Sequence, residues 1–437
     1  MEVFMKRFLL VLAALFLLPA FVFAGGNRQK ASSGSDNYLR YAWWGNTVRD
    51  ERTRKLVALF EQRNPGVTIE TETTNWDNYW PKLNTQVAAG NLPDVMQQDY
   101  SYIVMYNDRN LLEGLDPYVS KGAIDLSKWS DNAVGSGRLN GKLIGLSLGT
   151  NCWGMVVDPA PLRRAGVSIN DTTWTWKDYE QYALTIFRAT GVQTMPFTDF
   201  DQIPEHIVRQ FGHPMYAKDG KSLGFTANSP AYAAIKEVFL DMQLRLKAAG
   251  ALYDPEDAFI LDEEAFEEAP IAFGKTWNAY FWSNEYVGVQ EALGRPMEYF
   301  MCPSVQGNKA PFGTYLNPSQ FISVTTPSKN KDLAVKFANF FVNDLEANRF
   351  LMAERGIPIP TDVRADLSGR VDPGMKYMFD FITKITPFTT LIDPPDPAAI
   401  DEVRDMTRPI VLQCYTGRLS SEAAMSQLFR TASDILK

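Results

Sequence analysis

Short apolar runs alternate with helical patterns through the first part of the chain. Thr47 and Asp50 fit a capping box, and apolar residues follow at helical spacing until Asn-Pro-Gly at 64–66 ends the pattern. Strands are predicted at residues 40–44, 67–71 and 92–99, and further helices around 79–89 and from about 100 to 110. Strand and helix in this order, with short links, are typical of a largely parallel sheet covered by helices on both faces. The alternation therefore predicts an α/β fold.

A second strand and helix series begins with a β-rich passage at residues 141–159. Further strands are predicted at 193–200 and 270–277, and a strand, a turn and a helix at 321–344. The tail from about residue 361 is mainly helical, with a proline-rich break at 393–397. With 437 residues, 45% of them hydrophobic, the chain is long enough for one large or two ordinary globular units.

The N-terminus has the pattern of a secretory signal peptide. Lys6 and Arg7 precede an apolar run at 8–18, and Ala24 ends a small-residue motif after which we expect cleavage. The next residue is Gly25 and not the cysteine of a lipoprotein, so we expect a freely diffusing periplasmic or exported protein. An uncleaved membrane anchor is the weaker alternative, because the apolar run is short for a span of about 20 residues. Residues 25–37 are polar and rich in Gly and Ser, which predicts a flexible lead-in.

The charge balance and the cysteines exclude several classes. The formal net charge of −8 argues against a nucleic-acid partner, because phosphate binding requires a basic face. The three cysteines, Cys152, Cys302 and Cys414, are odd in number and far apart, so we expect buried thiols, with a single bridge as the alternative. We expect the mature protein to be a soluble monomer.

The sequence contains no complete catalytic or cofactor-binding motif. The two histidines, His206 and His213, fit no zinc-ligand spacing, and no phosphate-binding glycine motif is present. Gly-Leu-Ser-Leu-Gly at 145–149 matches the nucleophile elbow of hydrolases, but no histidine follows residue 213 to complete a triad. We therefore expect no metal, no cofactor and no catalysis.

Aromatic residues recur beside small polar residues at the predicted strand ends and in the loops next to them. Aromatic rings suit the C–H faces of sugars, and carboxylates and amides suit sugar hydroxyls. Core packing is the commoner role for any single tryptophan. Alternation places Trp43 and Trp44 on opposite sides of their strand, and we favour Trp44 as the ring that meets a ligand. The candidate ligand-binding residues are Trp43, Trp44, Asn46, Trp76, Asp99, Tyr100, Asn151, Trp153, Asp199, Trp277, Asn278, Trp282 and Tyr315.

The order of these segments resembles a known family. "AWWGN" with "LVALFEQRNPGVTIE", then "KLNTQVAAGNLPDVMQQD", "GKLIGLSLGTNCWGMVVDPAPLRRAGV", "FEEAPIAFGKTWN" and "FISVTTPSKNKDLAVKFANFF" are similar to the extracellular solute-binding proteins, family 1, of carbohydrate ABC importers, the group that includes maltose-binding protein. The resemblance implies a Venus flytrap fold, that is, two α/β lobes, each a mainly parallel sheet flanked by helices, which close on a ligand. It implies a first lobe at 38–147 plus 316–360 and a second lobe at 148–315 plus 361–437.

The resemblance also assigns the candidate residues to positions. Trp44 to Asn46 and Asp99 with Tyr100 would face the cleft from the first lobe, while Asn151 and Trp153 would lie just past the first hinge. Asp199 would line the second lobe. Trp277 would match the family's stacking tryptophan, with Trp282 as the alternative, because Ala269 and Phe273 depart from the family pattern before it.

The expected function is a periplasmic receptor for a neutral di- or oligosaccharide. It would deliver the sugar to membrane permease subunits that a separate ATPase powers. A secreted glycosidase that uses Asp99 and Asp199 is the alternative, since paired carboxylates show no fixed sequence spacing. A binding component for a chemoreceptor is a third reading, which the sequence does not separate from the first.

Overall fold

The computed structural model describes residues 37–45, 47–258, 268–307 and 312–437. The predicted signal peptide and almost all of the lead-in lie outside these residues, as does Asn46. The strands are β1 (Tyr38–Trp44), β2 (Thr68–Thr74), β3 (Val95–Gln98), β4 (Arg138–Leu139), β5 (Lys142–Leu143), β6 (Leu146–Ser147), β7 (Thr150–Asn151), β8 (Trp153–Val157), β9 (Asn278–Trp282), β10 (Glu298–Phe300), β11 (Asn317–Pro318) and β12 (Phe321–Val324).

Helices connect and cover these strands. Residues Lys236–Asp241 form a π-helical stretch that joins two of the α-helices. The α-helices are α1 (Thr47–Arg63), α2 (Trp76–Ala88), α3 (Tyr100–Asp108), α4 (Asp116–Ser120), α5 (Asp131–Ser136), α6 (Pro159–Ala165), α7 (Trp176–Thr190), α8 (Gln202–Gln210), α9 (Pro230–Ile235), α10 (Met242–Ala248), α11 (Pro255–Ala258), α12 (Tyr286–Leu293), α13 (Lys331–Asn343), α14 (Leu345–Leu351), α15 (Thr361–Leu367), α16 (Pro373–Ile385), α17 (Ile400–Tyr415) and α18 (Ser421–Ile435).

The first lobe is built on a five-stranded sheet in the order β2-β1-β3-β12-β6. β1 pairs in parallel with β2 and β3, as the strand and helix alternation predicted. β12, which comes much later in the chain, pairs antiparallel with both β3 and β6. Helices α1 and α13 pack on one face of the sheet, and α2 and α3 pack on the other. The sheet is therefore covered on both faces, as expected.

The second lobe contains a three-stranded sheet in the order β10-β8-β9, and both of its ladders are antiparallel. The expectation of a mainly parallel sheet is therefore wrong for this sheet. The strand predicted at 193–200 contributes only single parallel bridges, from Gln193 and Thr194. Its Pro196 has no N–H, and the N–H groups of Met195 and Phe197 donate to the side chains of Asn278 and Gln243 instead of to a neighbouring strand. The prediction of a strand at 270–277 is wrong. Turns occupy residues 270–274, and strand β9 begins at Asn278.

The two-stranded ladder of β7 and β11 lies where the predicted boundaries of the two lobes meet, a place called the hinge below. The N–H of Thr150 in β7 also donates to the carbonyl of Ile357, 2.8 Å away, which brings a third chain segment to the same place. Gly149 is required here, since a Cβ at this position would lie 2.5 Å from the carbonyl oxygen of Arg355. The exact lobe boundaries remain a prediction.

All three cysteines are free and buried, as predicted.

In the described part of the chain, no helix combines the length and the apolar character needed to cross a membrane.

Candidate ligand-binding site

A cavity of about 530 Å³ opens in the second lobe. One wall comes from β8 and β9, a second from the loop that leads into α8, and a third from α17. Its aromatic and charged lining residues are Trp153, Phe197, Asp199, Asp201, Tyr280, Phe281, Trp282, Glu285, Arg404 and Arg408.

The aromatic wall follows from strand pairing. Trp153 at the start of β8 lies opposite Trp282 at the end of β9, and Tyr280 lies two residues earlier on the same face. The rings of Trp153 and Tyr280 stack with their centroids 5.3 Å apart and their planes 12° apart. The hydroxyl of Tyr280 lies 2.8 Å from that of Tyr179, which fixes the orientation of the ring. These contacts give the cavity a preformed apolar wall.

The loop before α8 and helix α17 contribute paired charges to the cavity. Arg408 contacts Asp199 at 2.5 Å, and Arg404 contacts Asp201 at 2.8 Å. Burial raises the pKa of the Asp201 carboxyl, and Arg404 counteracts part of this rise. At the end of β9, the carboxylate of Glu285 accepts a 2.6 Å hydrogen bond from the backbone N–H of Trp282. This bond holds the end of the strand in place. The two ion pairs therefore offer acceptor oxygens whose charge is already largely balanced.

Three of the predicted second-lobe residues line this cavity: Trp153, Asp199 and Trp282. Trp277, predicted to offer a ring face to the ligand, does not line the cavity in this structure. Its side chain is 0% exposed, and its Nε1–H donates to Thr194 Oγ1 at 2.8 Å. Asn278 is equally buried, and its side-chain oxygen accepts from the Met195 N–H. Both residues serve the core beneath the cavity.

The two tryptophans of β1 are both buried. Trp43 packs against Tyr41, and its Nε1–H donates to Asp50 at 2.8 Å. Trp44, on the other face, is 8% exposed and packs in an aromatic cluster whose rings include Trp76, Tyr79, Trp80 and Tyr102. Neighbouring aromatic rings therefore cover Trp44, the ring that we favoured for ligand contact. In this cluster Trp76, at 41% exposed, presents the accessible surface.

Asp99 and Tyr100 act as structural groups in this conformation. Asp99 caps α3 by accepting from the Ser101 N–H at 2.8 Å, and burial raises the pKa of its carboxyl. The hydroxyl of Tyr100 donates to the carbonyl of Asp393 at 2.6 Å. Tyr100 thus joins the first lobe to residues 389–396, here called the connecting segment.

The two remaining candidates lie at the hinge. Asn151 belongs to β7, where it pairs with Asn317. The hydroxyl of Tyr315 donates to Glu205 at 3.2 Å, and the Arg209 guanidinium lies 4.5 Å from the centre of its ring. Among the residues that the structure describes, neither Asn151 nor Tyr315 lines the cavity.

Four important lining residues escaped prediction: Asp201, Tyr280, Arg404 and Arg408. Alternation with Trp282 along one strand could have identified Tyr280. Arg404 and Arg408 are four residues apart and so share one face of a helix, but their sequence does not indicate where that face points. Asp201 lies two residues beyond Asp199 and one residue beyond the strand predicted at 193–200, where the sequence pattern gives no signal for a lining residue.

Comparison with known proteins identifies binding proteins of bacteria as relatives of this chain. The family model described as bacterial extracellular solute-binding protein matches residues 55–376. A binding protein of Brucella abortus (strain 2308) is 23% identical over 397 residues, which cover 88% of this chain and 89% of that protein.

Solved structures share the whole fold. An extracellular solute-binding protein, family 1, from Alicyclobacillus acidocaldarius has a TM-score of 0.83 and 27% identity, covering 92% of this chain and 99% of its own. The sugar-binding protein MalE from Xanthomonas citri has a TM-score of 0.71 and 18% identity, covering 91% of this chain and 97% of its own. The predicted two-lobed α/β fold and the family resemblance are thereby confirmed. The chain belongs to the bacterial extracellular solute-binding proteins.

Proposed function

We propose that this protein is a periplasmic receptor that captures a neutral di- or oligosaccharide between its two lobes and delivers it to the permease subunits of an ABC importer. It carries out no catalysis. It acts as a monomer, and its signal peptide is cleaved after Ala24, with no lipid attached. Its family membership and its likeness in fold to a sugar-binding protein of Xanthomonas citri support this role.

One observation in particular carries the proposal: stacked aromatic rings and two arginine-paired carboxylates line the same cavity. Trp153, Tyr280 and Trp282 can contact the C–H face of a sugar, with a gain of about 0.5–1.5 kcal/mol per ring if aromatic pairs are a fair guide. Asp199 and Asp201 can accept from hydroxyls, because each carboxylate has more acceptor sites than its arginine occupies. The pairing of these arginines favours a neutral ligand over an anionic one.

A thermal-shift screen against a sugar library tests the proposal directly. A ligand that binds only the folded state raises the melting temperature, and its affinity can then be measured by calorimetry. No shift with any neutral oligosaccharide would contradict the assignment.

A variant pair tests the cavity itself. We expect Trp282→Ala to weaken sugar binding by more than about tenfold, or about 1.4 kcal/mol, because it removes one ring of the aromatic wall. Tyr182→Ala is the matched control, since Tyr182 is a half-buried aromatic residue of α7 that does not line the cavity. Equal affinities in the two variants would remove Trp282 from the site.

Chromatography of the bound sugar after long incubation tests the absence of catalysis. We expect it to be recovered intact. Asp99 does not line the cavity that contains Asp199, so nothing in the described structure favours this pair as the two carboxylates of a glycosidase. Turnover that tracks the purified protein would nevertheless overturn the receptor assignment.

A further inference from the structure

A second cavity, of about 220 Å³, lies at the hinge and away from the aromatic wall. It lies between the 127–130 loop of the first lobe, Thr150 of β7, and the start of α15. The N–H of Thr361 donates to the carbonyl of Lys128 at 3.1 Å, so the two sides of the cavity are already in contact. This volume has room for a small polyatomic ion with water, since one water occupies about 30 Å³ of liquid.

Arg364 is the unusual residue in this cavity. Its side chain is 8% exposed, and its Nη1 donates to the carbonyls of Pro358 and Ile359 at 2.8 and 2.7 Å. Its Nε is buried and has no acceptor among the residues that the structure describes. Burial lowers the pKa of this guanidinium.

Two other buried arginines of the protein have carboxylate partners. Arg209 forms an ion pair with Asp393, and Arg355 forms one with Glu354. Within the described ranges, Arg364 has no carboxylate partner. A buried guanidinium that keeps its charge requires compensation, and an anion from solvent can supply what the chain does not.

The other lining groups suit an oxyanion. Lys128 contributes a second cation at the exposed rim, and hydroxyl groups line the same cavity. The hydroxyl residues whose protons have no acceptor among the described residues are Ser127, Ser130 and Thr361, whereas the Thr386 hydroxyl donates to the carbonyl of Ile382 at 2.6 Å. Charged donors with hydroxyls form the strong, short hydrogen bonds that phosphate and sulfate oxygens accept.

We propose that the hinge cavity binds a small inorganic oxyanion of the phosphate or sulfate class, with Arg364 and Lys128 as its cationic contacts. The bound ion links the 127–130 loop to α15 across the hinge. The proposal is independent of the sugar site, because the two cavities share no lining residue.

Calorimetry with inorganic phosphate tests this site in the full mature chain, with chloride added to equal ionic strength in every sample. We expect wild-type protein to bind phosphate. Lys128→Gln should weaken binding by about threefold to fivefold, the range of an exposed charge pair. Lys177→Gln is the matched control, because Lys177 is an exposed lysine of α7 that does not line the cavity.

Arg364→Gln should weaken phosphate binding by at least about tenfold, as expected for the loss of charged hydrogen bonds. Sugar binding by this variant shows that it is folded. If it fails to fold, the comparison of Lys128→Gln with Lys177→Gln decides the question. Absent binding to wild-type protein, or equal phosphate affinity in Lys128→Gln and Lys177→Gln, would overturn the proposal.

Discussion

Trp277 and Trp282 lie at the two ends of the β9 region and meet opposite environments. Trp277 is enclosed between Tyr179 and Thr194, where its ring and its N–H both have partners. Trp282 is half-buried and lines the cavity. The strand begins one residue after Trp277, and its alternation places Tyr280 and Trp282 on one face, where both line the cavity.

Replacement of Trp277 should therefore affect stability and not ligand affinity. We expect Trp277→Phe to lower the free energy of unfolding by about 2–3 kcal/mol, from a lost hydrogen bond and a small cavity. Urea denaturation measures the first quantity and calorimetry with the identified sugar measures the second. Weaker sugar binding at unchanged stability would return Trp277 to the ligand site.

His206 should make the protein less stable in mild acid. Burial lowers the pKa of His206 from 6.5 to about 4, and its Nδ1 lies 3.0 Å from the carbonyl of Gln202. The unfolded state thus binds the proton first, so this stability is complete above about pH 6.5 and is lost as the pH falls towards 4. The loss is on the order of 3 kcal/mol, from the linkage between pKa and stability.

The pH effect can be isolated by comparison with a variant. His206→Asn keeps a donor for the Gln202 carbonyl but does not titrate in this range. Neighbouring Glu205, whose pKa burial raises, has the opposite sign and loses its contribution as the pH rises. Glu205 is present in both proteins, so the difference in urea midpoints between them reports on His206. Parallel pH profiles would contradict the assignment.

At the scale of elements, the connecting segment ties the two lobes together. The side chain of Arg209 in α8 contacts Thr390, Leu391 and Asp393, and Asn132 of α5 donates to the carbonyl of Thr389 at 2.8 Å. The proline-rich break was recognised in the sequence, but its partners were not. Contacts between residues so far apart in sequence leave no local pattern from which they could be inferred.

Removal of the Tyr100 hydroxyl tests the contact between the first lobe and the connecting segment. We expect Tyr100→Phe to lower the free energy of unfolding by about 0.5–1.5 kcal/mol, because the Asp393 carbonyl loses its donor. Tyr102→Phe is the matched control, since the Tyr102 ring stacks on Trp80 and its hydroxyl has no hydrogen bond among the described residues. A loss of sugar affinity without a loss of stability would instead make Tyr100 a ligand contact.

The sequence predicted the elements of the first lobe well and the roles of individual side chains poorly. Helix α1 begins at Thr47, within the predicted capping box, yet Asp50 accepts hydrogen bonds from Trp43 and Thr73. A complete capping box occurs at Thr175 and Asp178, where none had been predicted. Periodicity indicates which residues are buried, whereas long-range packing decides what each buried polar group contacts.

For the whole molecule, the reactivity of the three free thiols reports whether the protein is folded. Burial raises the pKa of Cys152 to about 12 and that of Cys414 to about 11, and it also raises the pKa of Cys302. Few thiolates therefore exist at neutral pH, and access is blocked. We expect no reaction of the native protein with a thiol reagent and reaction of three thiols in denaturant. Two unreactive cysteines in the denatured, unreduced protein would reveal a disulfide.

The position of β12 determines when the first lobe can be completed during synthesis. β12 lies between β3 and β6, so these strands lack their common partner until residues 321–324 have left the ribosome. Pairings that close such long loops also form slowly. The N-terminal half of the chain alone therefore cannot complete this five-stranded sheet. Completion of the first lobe waits until about three quarters of the chain has been synthesised.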